Sequence, residues 1–163
     1  MFYNKKIDNE YKGKNVVVKP IPPVLLTYVE GLKTHDIQKI ASTAAEDLQF
    51  ISATRILDKH QALKMLTALY SGFPDWNYAF DGIEDRGQGN YAIKWRQGGT
   101  HTAVWAMPGM DPIPPTGRRV SIPEHYFYYR VSGEKLTIIF PEPIPGGAPR
   151  GILEQIGVAL PPL

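Results

Sequence analysis

Residues 99–120, GTHTAVWAMPGMDPIPPTGRRV, are the stretch that decides how the rest of the chain is interpreted. The stretch begins as the end of one predicted strand, crosses a segment rich in proline and glycine, and ends as the start of another strand. Proline lacks a backbone N–H and disfavours helix in the residue before it. The segment is therefore predicted to be a long loop that joins two strands.

Strands are predicted on both sides of this crossing loop because apolar residues recur with a period of two. Upstream, the pattern predicts strands over 76–84 and 91–106, joined by a turn at 85–90 and carrying a bulge at Gly98 and Gly99. Downstream, it predicts strands over 118–131 and 135–140. This part of the chain therefore reads as a run of antiparallel strands.

Helices are predicted before these strands, where apolar residues recur at helical spacing. The first covers 24–33, a short second one starts at residue 37 after an Asp36 cap, and a third covers 59–70 after an Asp58 cap. A short strand is predicted at 47–52. Helices followed by antiparallel strands indicate an α+β fold in which helices pack on one face of a curved sheet.

Length and composition restrict the possible functions. The 163 residues carry a net charge of +2 and no cysteine, which excludes disulfides, thiolate metal sites and a cysteine nucleophile. The four histidines lack metal-ligand spacing, so we expect no metal and no cofactor. The sequence has no long basic run of the kind that favours binding to nucleic acid, and no stretch is long and apolar enough to cross a membrane.

The same features predict where the protein works and how it is divided. Residues 1–23 are interpreted as an N-terminal extension that is either flexible or lies along an edge of the sheet, and residues 24–163 as a single domain. The N-terminus has no apolar core of signal-peptide length, and the absence of cysteine fits a reducing compartment. We therefore expect a cytoplasmic protein.

Four phrases stand at distances that resemble a known family: FPDW at 73–76, GTHT at 99–102, PPTGRRV at 114–120 and ILEQIGV at 152–158. Together they resemble the SnoaL-like polyketide cyclases of the nuclear transport factor 2-like superfamily. The resemblance implies a cone-shaped barrel, with a strongly curved antiparallel sheet wrapped around three N-terminal helices and a pocket at the open end. It also implies a homodimer formed through the outer face of the sheet.

The resemblance implies acid–base catalysis, yet this chain departs from the family's residues. Family cyclases use an Asp at the end of the last strand, a His on the preceding strand, and a Gln two residues before that His. Strand-to-strand matching puts these positions at Pro141, Phe127 and His125. The acid is absent from its place, so His125 and Glu142 become the candidate catalytic pair.

Each member of the pair has a second interpretation. Alternation puts His125, Phe127 and Tyr129 on one face of their strand. If that face is the inner one, His125 can act as an acid or a base beside an aromatic wall; otherwise it is an outer-face residue or holds a structural hydrogen bond. Glu142 is either a base presented to the pocket or a solvated loop residue.

Aromatic residues complete the candidate site. The predicted ligand-binding residues are Tyr28, Trp95, Trp105, Phe127 and Tyr129. They suit a small hydrophobic, ring-bearing carbonyl compound. Two functions stay open: cyclase- or isomerase-type acid–base chemistry, and a non-catalytic ligand-binding or accessory module of the same fold. His101, in the GTHT phrase, is predicted to be structural, tying its strand to the crossing loop.

Overall fold

The computed structural model describes residues 20–160, which form four helices and seven strands. In chain order these are α1 (Pro23–Thr34), α2 (Ile37–Thr43), β1 (Ala44–Ile51), β2 (Ile56–Leu57), α3 (Lys59–Gly72), β3 (Asn77–Ala79), β4 (Ile83–Gly87), β5 (Asn90–Thr100), β6 (Arg119–Ser132), β7 (Lys135–Pro141) and α4 (Arg150–Gln155). The sheet is curved and unclosed, and the fold is the predicted α+β cone with three helices in its N-terminal half. Most of the predicted extension, residues 1–19, lies outside the described residues.

The starts of the first three helices follow from local sequence. Helix α1 begins at Pro23, whose ring fits the first turn because no partner exists there for a backbone N–H. Helix α2 begins after Asp36, whose carboxylate accepts the N–H of Lys39. Helix α3 begins with a capping box between Asp58 and Gln61. Both predicted aspartate caps are therefore confirmed.

The sheet has the order β2-β1-β7-β6-β5-β3, and β4 also pairs with β5. Strands β3 and β4 share one edge of β5, so the predicted strand 76–84 is two strands separated by residues 80–82. The predicted strand 91–106 ends at Thr100 because the Asp75 carboxylate accepts the Thr100 N–H at 2.6 Å and the crossing loop begins there. All pairs are antiparallel except β1 with β7, which is parallel.

The bulge predicted at Gly98 and Gly99 is wrong, because the irregularity lies on the partner strand β6. Trp95 pairs with His125 and Gln97 pairs with Ile122, so β6 holds one extra residue at this point. Pro123 falls in that interval and lacks the N–H that a regular ladder needs. The bulge changes which residues face inward, from even numbers before it to odd numbers after it.

The interior is one continuous hydrophobic cluster supplied by the helices and the inner face of the sheet. Its most buried aliphatic members are Leu25, Ile93, Val120, Leu136 and Ile152. Helix α4 closes one side: the Gln155 amide accepts the backbone N–H of Ser121 at 2.9 Å and donates to its carbonyl at 2.8 Å. None of the described helices is long and apolar enough to span a membrane.

Candidate functional site

The inner wall of the cone carries a row of three aromatic rings on β6. His125 and Phe127 have ring centroids 5.2 Å apart, and Phe127 and Tyr129 have centroids 6.5 Å apart. His125 and Tyr129 are buried, whereas Phe127 is half-buried although it faces inward. Trp95 lies opposite His125 in the ladder, and its indole N–H reaches Tyr129 Oη at 2.8 Å. The rings therefore form one continuous surface with an accessible centre at Phe127.

The tautomer of neutral His125 is fixed by its surroundings. Nδ1 lies 2.8 Å from the carbonyl oxygen of Pro123, and a carbonyl only accepts, so Nδ1 carries the proton. Nε2 then holds a lone pair and has no hydrogen-bond partner among the described residues. Nε2 is not one of the fully buried, unpaired atoms in that part of the chain, so it keeps contact with accessible space. This arrangement leaves a basic nitrogen available on the inner wall.

Glu142 lies just past β7 and is held by the backbone of β6. Its Oε1 accepts the N–H of Tyr126 at 3.3 Å, and its own N–H donates to the Tyr126 carbonyl at 2.9 Å. Phe127 pairs with Pro141, so the ladder puts Glu142 opposite Tyr126, one residue along from His125. Within residues 20–160, no hydrogen bond or ion pair joins Glu142 to His125.

A second group of polar aromatic side chains meets inside the cone, and we call it the tyrosine cluster. It consists of Tyr28, Tyr70, Tyr78, Tyr129 and Trp95. Ring contacts of 5.4–6.4 Å run from Tyr28 to Tyr129, from Tyr78 to Trp95 and from Tyr70 to Tyr78. The sequence pointed to three members but missed Tyr70 and Tyr78. Both are visible in the sequence as aromatic residues. They lie on helix α3 and on the three-residue strand β3, and nothing in the sequence indicates that these two elements bring the side chains together.

Burial controls the ionisation of this cluster. Removal from water raises the pKa of each of the four tyrosines, and the neighbouring hydroxyls of Tyr70 and Tyr129 raise that of Tyr28 further. Tyr28 approaches Tyr129 closely enough for a weak hydrogen bond, which raises the pKa of Tyr28 and lowers that of Tyr129 but falls outside standard geometry. All four hydroxyl groups therefore stay protonated and can donate at neutral pH.

Trp105, a predicted ligand-binding residue, lies in the crossing loop and packs into the core instead of onto the row of rings. It is 1% exposed, its ring stands edge-on to Phe73 at 5.4 Å, and its backbone pairs with Ile113. A Cβ built on Gly72 would come within 2.7 Å of the Trp105 Cβ, so the loop sits directly on the end of α3. In this position Trp105 anchors the loop.

His101 directly follows β5 and joins the two ends of the same loop, which agrees with the structural role predicted for it. Its Nδ1 lies 3.0 Å from Thr116 Oγ1 and accepts the Thr116 N–H at 3.3 Å. Nε2 therefore carries the proton in the neutral ring, and it is buried without a hydrogen bond of standard geometry. Burial lowers the pKa of His101, and the nearby carbonyls of Ile113 and Ala103 only partly offset that effect.

A model of the SnoaL-like polyketide cyclases matches residues 23–137, which is most of the chain. The protein belongs to the SnoaL-like polyketide cyclase family. The matched segment includes α1, the strands from β1 to β6, the first three residues of β7, and the row of rings on β6. A search of curated proteins gave no significant match.

Solved structures with the same fold come from several bacteria. AclR, a putative hydroxylase from Streptomyces galilaeus, is 19% identical with a TM-score of 0.65, and the alignment covers 82% of this chain and 78% of AclR. A putative SnoaL-like polyketide cyclase from Jannaschia sp. CCS1 is 14% identical with a TM-score of 0.66, covering 90% and 100%. IdmH, a putative polyketide cyclase from Streptomyces antibioticus, is 18% identical with a TM-score of 0.56, covering 73% and 88%.

The outer face of the sheet in this SnoaL-like protein carries half-buried rings and charged side chains. Tyr126 and Tyr128 stack at 5.9 Å, Tyr128 approaches Phe140 at 6.1 Å, and the Arg86 guanidinium lies over both tyrosines. A cavity of about 310 Å³ opens there between Tyr128, Phe140 and Arg130, and a second cavity of about 360 Å³ lies beside the β6 bulge. Neither cavity is lined by His125 or Glu142.

The part of the chain that the structure describes contains no cluster of side chains suited to bind a metal ion. Residues 20–160 contain no group of three or more histidine, aspartate or glutamate side chains arranged to hold a metal ion. The outer-face carboxylates are engaged by cations: Glu124 pairs with Arg96 at 2.9 Å, and Glu84 pairs with Arg86 at 2.9 Å. The hydrogen bond from Arg96 holds the pKa of Glu124 below its usual value. The pKa of Glu84 is lowered mainly by the hydrogen bond that the Tyr126 hydroxyl donates to it, and further by Arg86.

Proposed function

We propose that this SnoaL-like protein is an enzyme that moves a proton next to a carbonyl group of a small hydrophobic ring compound, a cyclase- or isomerase-type reaction. His125 is the base. The observation that carries the proposal is the state of its imidazole, with Nδ1 held by the Pro123 carbonyl and an unpaired Nε2 on the inner wall. An imidazole in neutral form, fixed in orientation beside an apolar surface, is suited to general base catalysis.

The proposed step balances without a cofactor. Nε2 of His125 takes a proton from the carbon next to the carbonyl, the C–H electron pair forms a C=C bond, and the carbonyl oxygen gains the charge. The resulting enolate either recovers the proton at another carbon, which is an isomerisation, or attacks a second carbonyl, which closes a ring. In both cases the imidazolium returns its proton, so the enzyme ends as it began.

The substrate class is supported by the surface around His125. Phe127 offers an accessible ring at the centre of the inner wall, flanked by Tyr129 and Trp95. Such a surface favours a flat, largely apolar ligand with few polar groups. Tyr28 borders it from α1 through its contact with Tyr129.

In this proposal Glu142 is the partner of His125, and its role is to hold the strand that carries His125 in position. Its carboxylate and backbone both bond to Tyr126, the residue that follows His125 on β6. The resemblance assigns the family's acid to Pro141, which cannot take or give a proton. Glu142 is the carboxylate that follows this proline directly, and in this role it holds the strand that presents the base.

The test uses 2-tetralone, a bicyclic ketone whose acidic C–H exchanges with deuterium in D₂O. We expect the wild type to accelerate exchange, measured by mass spectrometry, and His125→Gln to lose about 100-fold or more of that acceleration. The control is His60→Gln, an exposed histidine on α3, which should leave the rate unchanged. Equal rates for His125→Gln and the wild type would remove His125 from the mechanism.

The same assay separates the two possible roles of Glu142. Glu142→Gln keeps an oxygen that can accept the Tyr126 N–H, whereas Glu142→Ala does not. A positioning role predicts that the glutamine variant keeps most of the rate and that the alanine variant loses several-fold. A loss with Glu142→Gln as large as that with His125→Gln would instead make Glu142 a direct acid or base.

A non-catalytic binding module is the second candidate function. The observation that favours it is the pair Phe127 and Pro141, which face each other in the ladder at the positions that the resemblance assigns to catalytic groups. Neither residue can carry a proton. Ligand binding by the wild type together with no exchange above the buffer rate would establish this function in place of the first.

The proposal includes the setting in which the protein works. It acts as a homodimer through the outer face of the sheet, in the cytoplasm, and without nucleic acid. The half-buried rings Tyr126, Tyr128 and Phe140 support the dimer because flat aromatic side chains are frequent at the centres of interfaces. The cysteine-free sequence supports a reducing compartment.

A further inference from the structure

The tyrosine cluster contains more hydrogen-bond donors than it can use internally. Its four hydroxyl groups and the Trp95 indole supply five polar protons. Two hydrogen bonds of standard geometry join its members: the Trp95 N–H to Tyr129 Oη at 2.8 Å, and the Tyr70 and Tyr78 hydroxyls at 2.7 Å. Even with the close approach of Tyr28 to Tyr129 counted as a third, two protons remain without an acceptor among the described residues.

A hydroxyl group that already takes part in one hydrogen bond can still donate its own proton, so the surplus protons can bind an acceptor supplied from outside the chain. The Tyr28 hydroxyl lacks a standard hydrogen bond, yet it is not one of the fully buried, unpaired atoms of residues 20–160. Its oxygen therefore still touches accessible space. Tyr28 is 4% exposed, and this small accessible area is where we expect an oxygen acceptor to meet the cluster.

The cluster also lies at one end of the row of rings whose other end is His125. Trp95 links the two ends, since its backbone pairs with His125 while its indole donates to Tyr129. Phe127 lies between them, half-buried. A ring compound lying on Phe127 therefore has a base at one side and a set of donors at the other.

We propose that the tyrosine cluster binds the oxygen of the ligand, through hydroxyl donors at Tyr28 and Tyr129, and orients its carbonyl or phenol group. The ligand class is a ring compound with one hydrogen-bond-accepting oxygen. Combined with the proposed function, on which this last role rests, the cluster stabilises the negative oxygen that forms when His125 removes the proton. Tyrosine hydroxyls are protonated at neutral pH, and burial raises their pKa further, so they are present as donors.

Two probes of nearly the same shape test the proposal: 2-naphthol, which has one oxygen, and naphthalene, which has none. Fluorescence titration gives the affinity of each for the wild type, Tyr28→Phe and Tyr129→Phe. We expect the wild type to prefer 2-naphthol, and each variant to lose about fivefold of that preference. The affinity for naphthalene should change little, because the ring surface is retained.

Tyr91→Phe is the matched control. Tyr91 is a buried tyrosine on the same face of β5, opposite Tyr129 in the ladder, and it is not a member of the cluster. Its variant should keep the wild-type preference. An unchanged preference in Tyr28→Phe and Tyr129→Phe overturns the proposal, as does an equal loss in Tyr91→Phe or a wild type that binds neither probe.

Stability and mechanism are separated by two further measurements. Thermal unfolding identifies a variant that no longer folds, and if Tyr129→Phe unfolds because it loses the Trp95 bond, Tyr28→Phe decides the outcome. His125→Gln should bind 2-naphthol like the wild type, since it leaves the cluster intact. Loss of exchange in His125→Gln with preserved binding supports both proposals, whereas preserved exchange rejects only the role of His125.

Discussion

The two buried histidines, His101 and His125, have opposite tautomers because their Nδ1 atoms have opposite partners. Nδ1 of His125 faces a carbonyl and must donate, whereas Nδ1 of His101 accepts the Thr116 N–H. The free lone pair is therefore on Nε2 of His125, and the spare proton is on Nε2 of His101. The first arrangement leaves a base for chemistry, and the second holds a loop in place.

His101 predicts a pH dependence of stability. Burial lowers its pKa in the folded state, so below about pH 6.5 the unfolded chain binds a proton that the folded chain does not. The free energy of unfolding should fall as the pH drops from 7.5 to 5.5, by at most about 1.4 kcal/mol per pH unit for this one group. Urea unfolding across that range measures the slope.

His101→Asn is the variant for this measurement, because its Oδ1 can accept the Thr116 N–H and the amide does not titrate. We expect the variant to be less stable at pH 7.5, since a smaller side chain leaves a cavity beside Phe73. Its stability should also depend less on pH than that of the wild type. If the stability of the wild type and of His101→Asn changed with pH by the same amount, His101 would have the same pKa in the folded and unfolded states, which contradicts the prediction.

At the residue scale, the sequence predicted which face of a strand a side chain lies on better than it predicted which residues that side chain contacts. Alternation correctly put His125, Phe127 and Tyr129 on one face, since all three follow the bulge at Pro123 and share one phase. Trp105 was assigned to the ligand site, but it packs on Phe73. A loop residue belongs to no period, so nothing in the sequence indicated which part of the core would receive it.

Most of the unusual sequence of this chain lies in the crossing loop between β5 and β6. His101 bonds to Thr116 at its base, Trp105 pairs with Ile113 in its middle, and the Ala103 N–H donates to the Gly72 carbonyl of α3. The loop is therefore bonded to itself at two places and to helix α3 at a third. Such multiple attachment makes it part of the folded core.

Gly72 is the position where this fastening can be tested. A Cβ at residue 72 would meet the Trp105 Cβ at 2.7 Å and its Cα at 3.0 Å. We expect Gly72→Ala to lower the free energy of unfolding by about 1–3 kcal/mol, despite the better helix propensity of alanine. Chemical denaturation measures the change.

The matched control is Gly82→Ala, at a glycine where an added Cβ meets nothing within 4 Å. This variant should change stability by less than about 1 kcal/mol. Similar losses in the two variants would mean that the contact between α3 and the loop is not tightly packed.

The elements themselves were largely predictable, and the errors have identifiable causes. Prolines and aspartate caps marked the ends of helices, so α1 and α3 agree with their predictions within two residues. The bulge was misplaced because glycine was taken as its signal, whereas a missing N–H at Pro123 disturbs the ladder. The parallel pair of β1 and β7 left no local signal, since pairing direction depends on distant parts of the chain.

Over the whole molecule, the two faces of the sheet differ in chemistry. The inner face holds His125 and the tyrosine cluster, and the outer face holds stacked rings beside Arg86, Lys94 and Arg130. An outer face of this kind suits a twofold contact, where each protomer presents rings to the other. The dimer proposed above therefore leaves the inner wall free for a ligand.

A single substitution tests the dimer. Tyr128→Lys puts a cation beside Arg86 and removes a ring from the centre of the outer face, so like charges would meet across the proposed contact. We expect the wild type to have the mass of a dimer by light scattering and Tyr128→Lys to have that of a monomer. Leu26→Lys, on an exposed residue of α1, should stay dimeric. A monomeric wild type, or a dimeric Tyr128→Lys, contradicts the proposal.

The parallel contact between β1 and β7 has a consequence for how the chain can fold. Ala44 pairs with Leu136, so a strand from the first third of the protein is the neighbour of its last strand. Strands β5, β6 and β7 can assemble from near neighbours, but β7 keeps an open edge until the N-terminal part returns to it. Closing a loop of that length is slow and entropically costly. Nascent chains therefore expose an unpaired strand edge during folding, the feature most prone to intermolecular association.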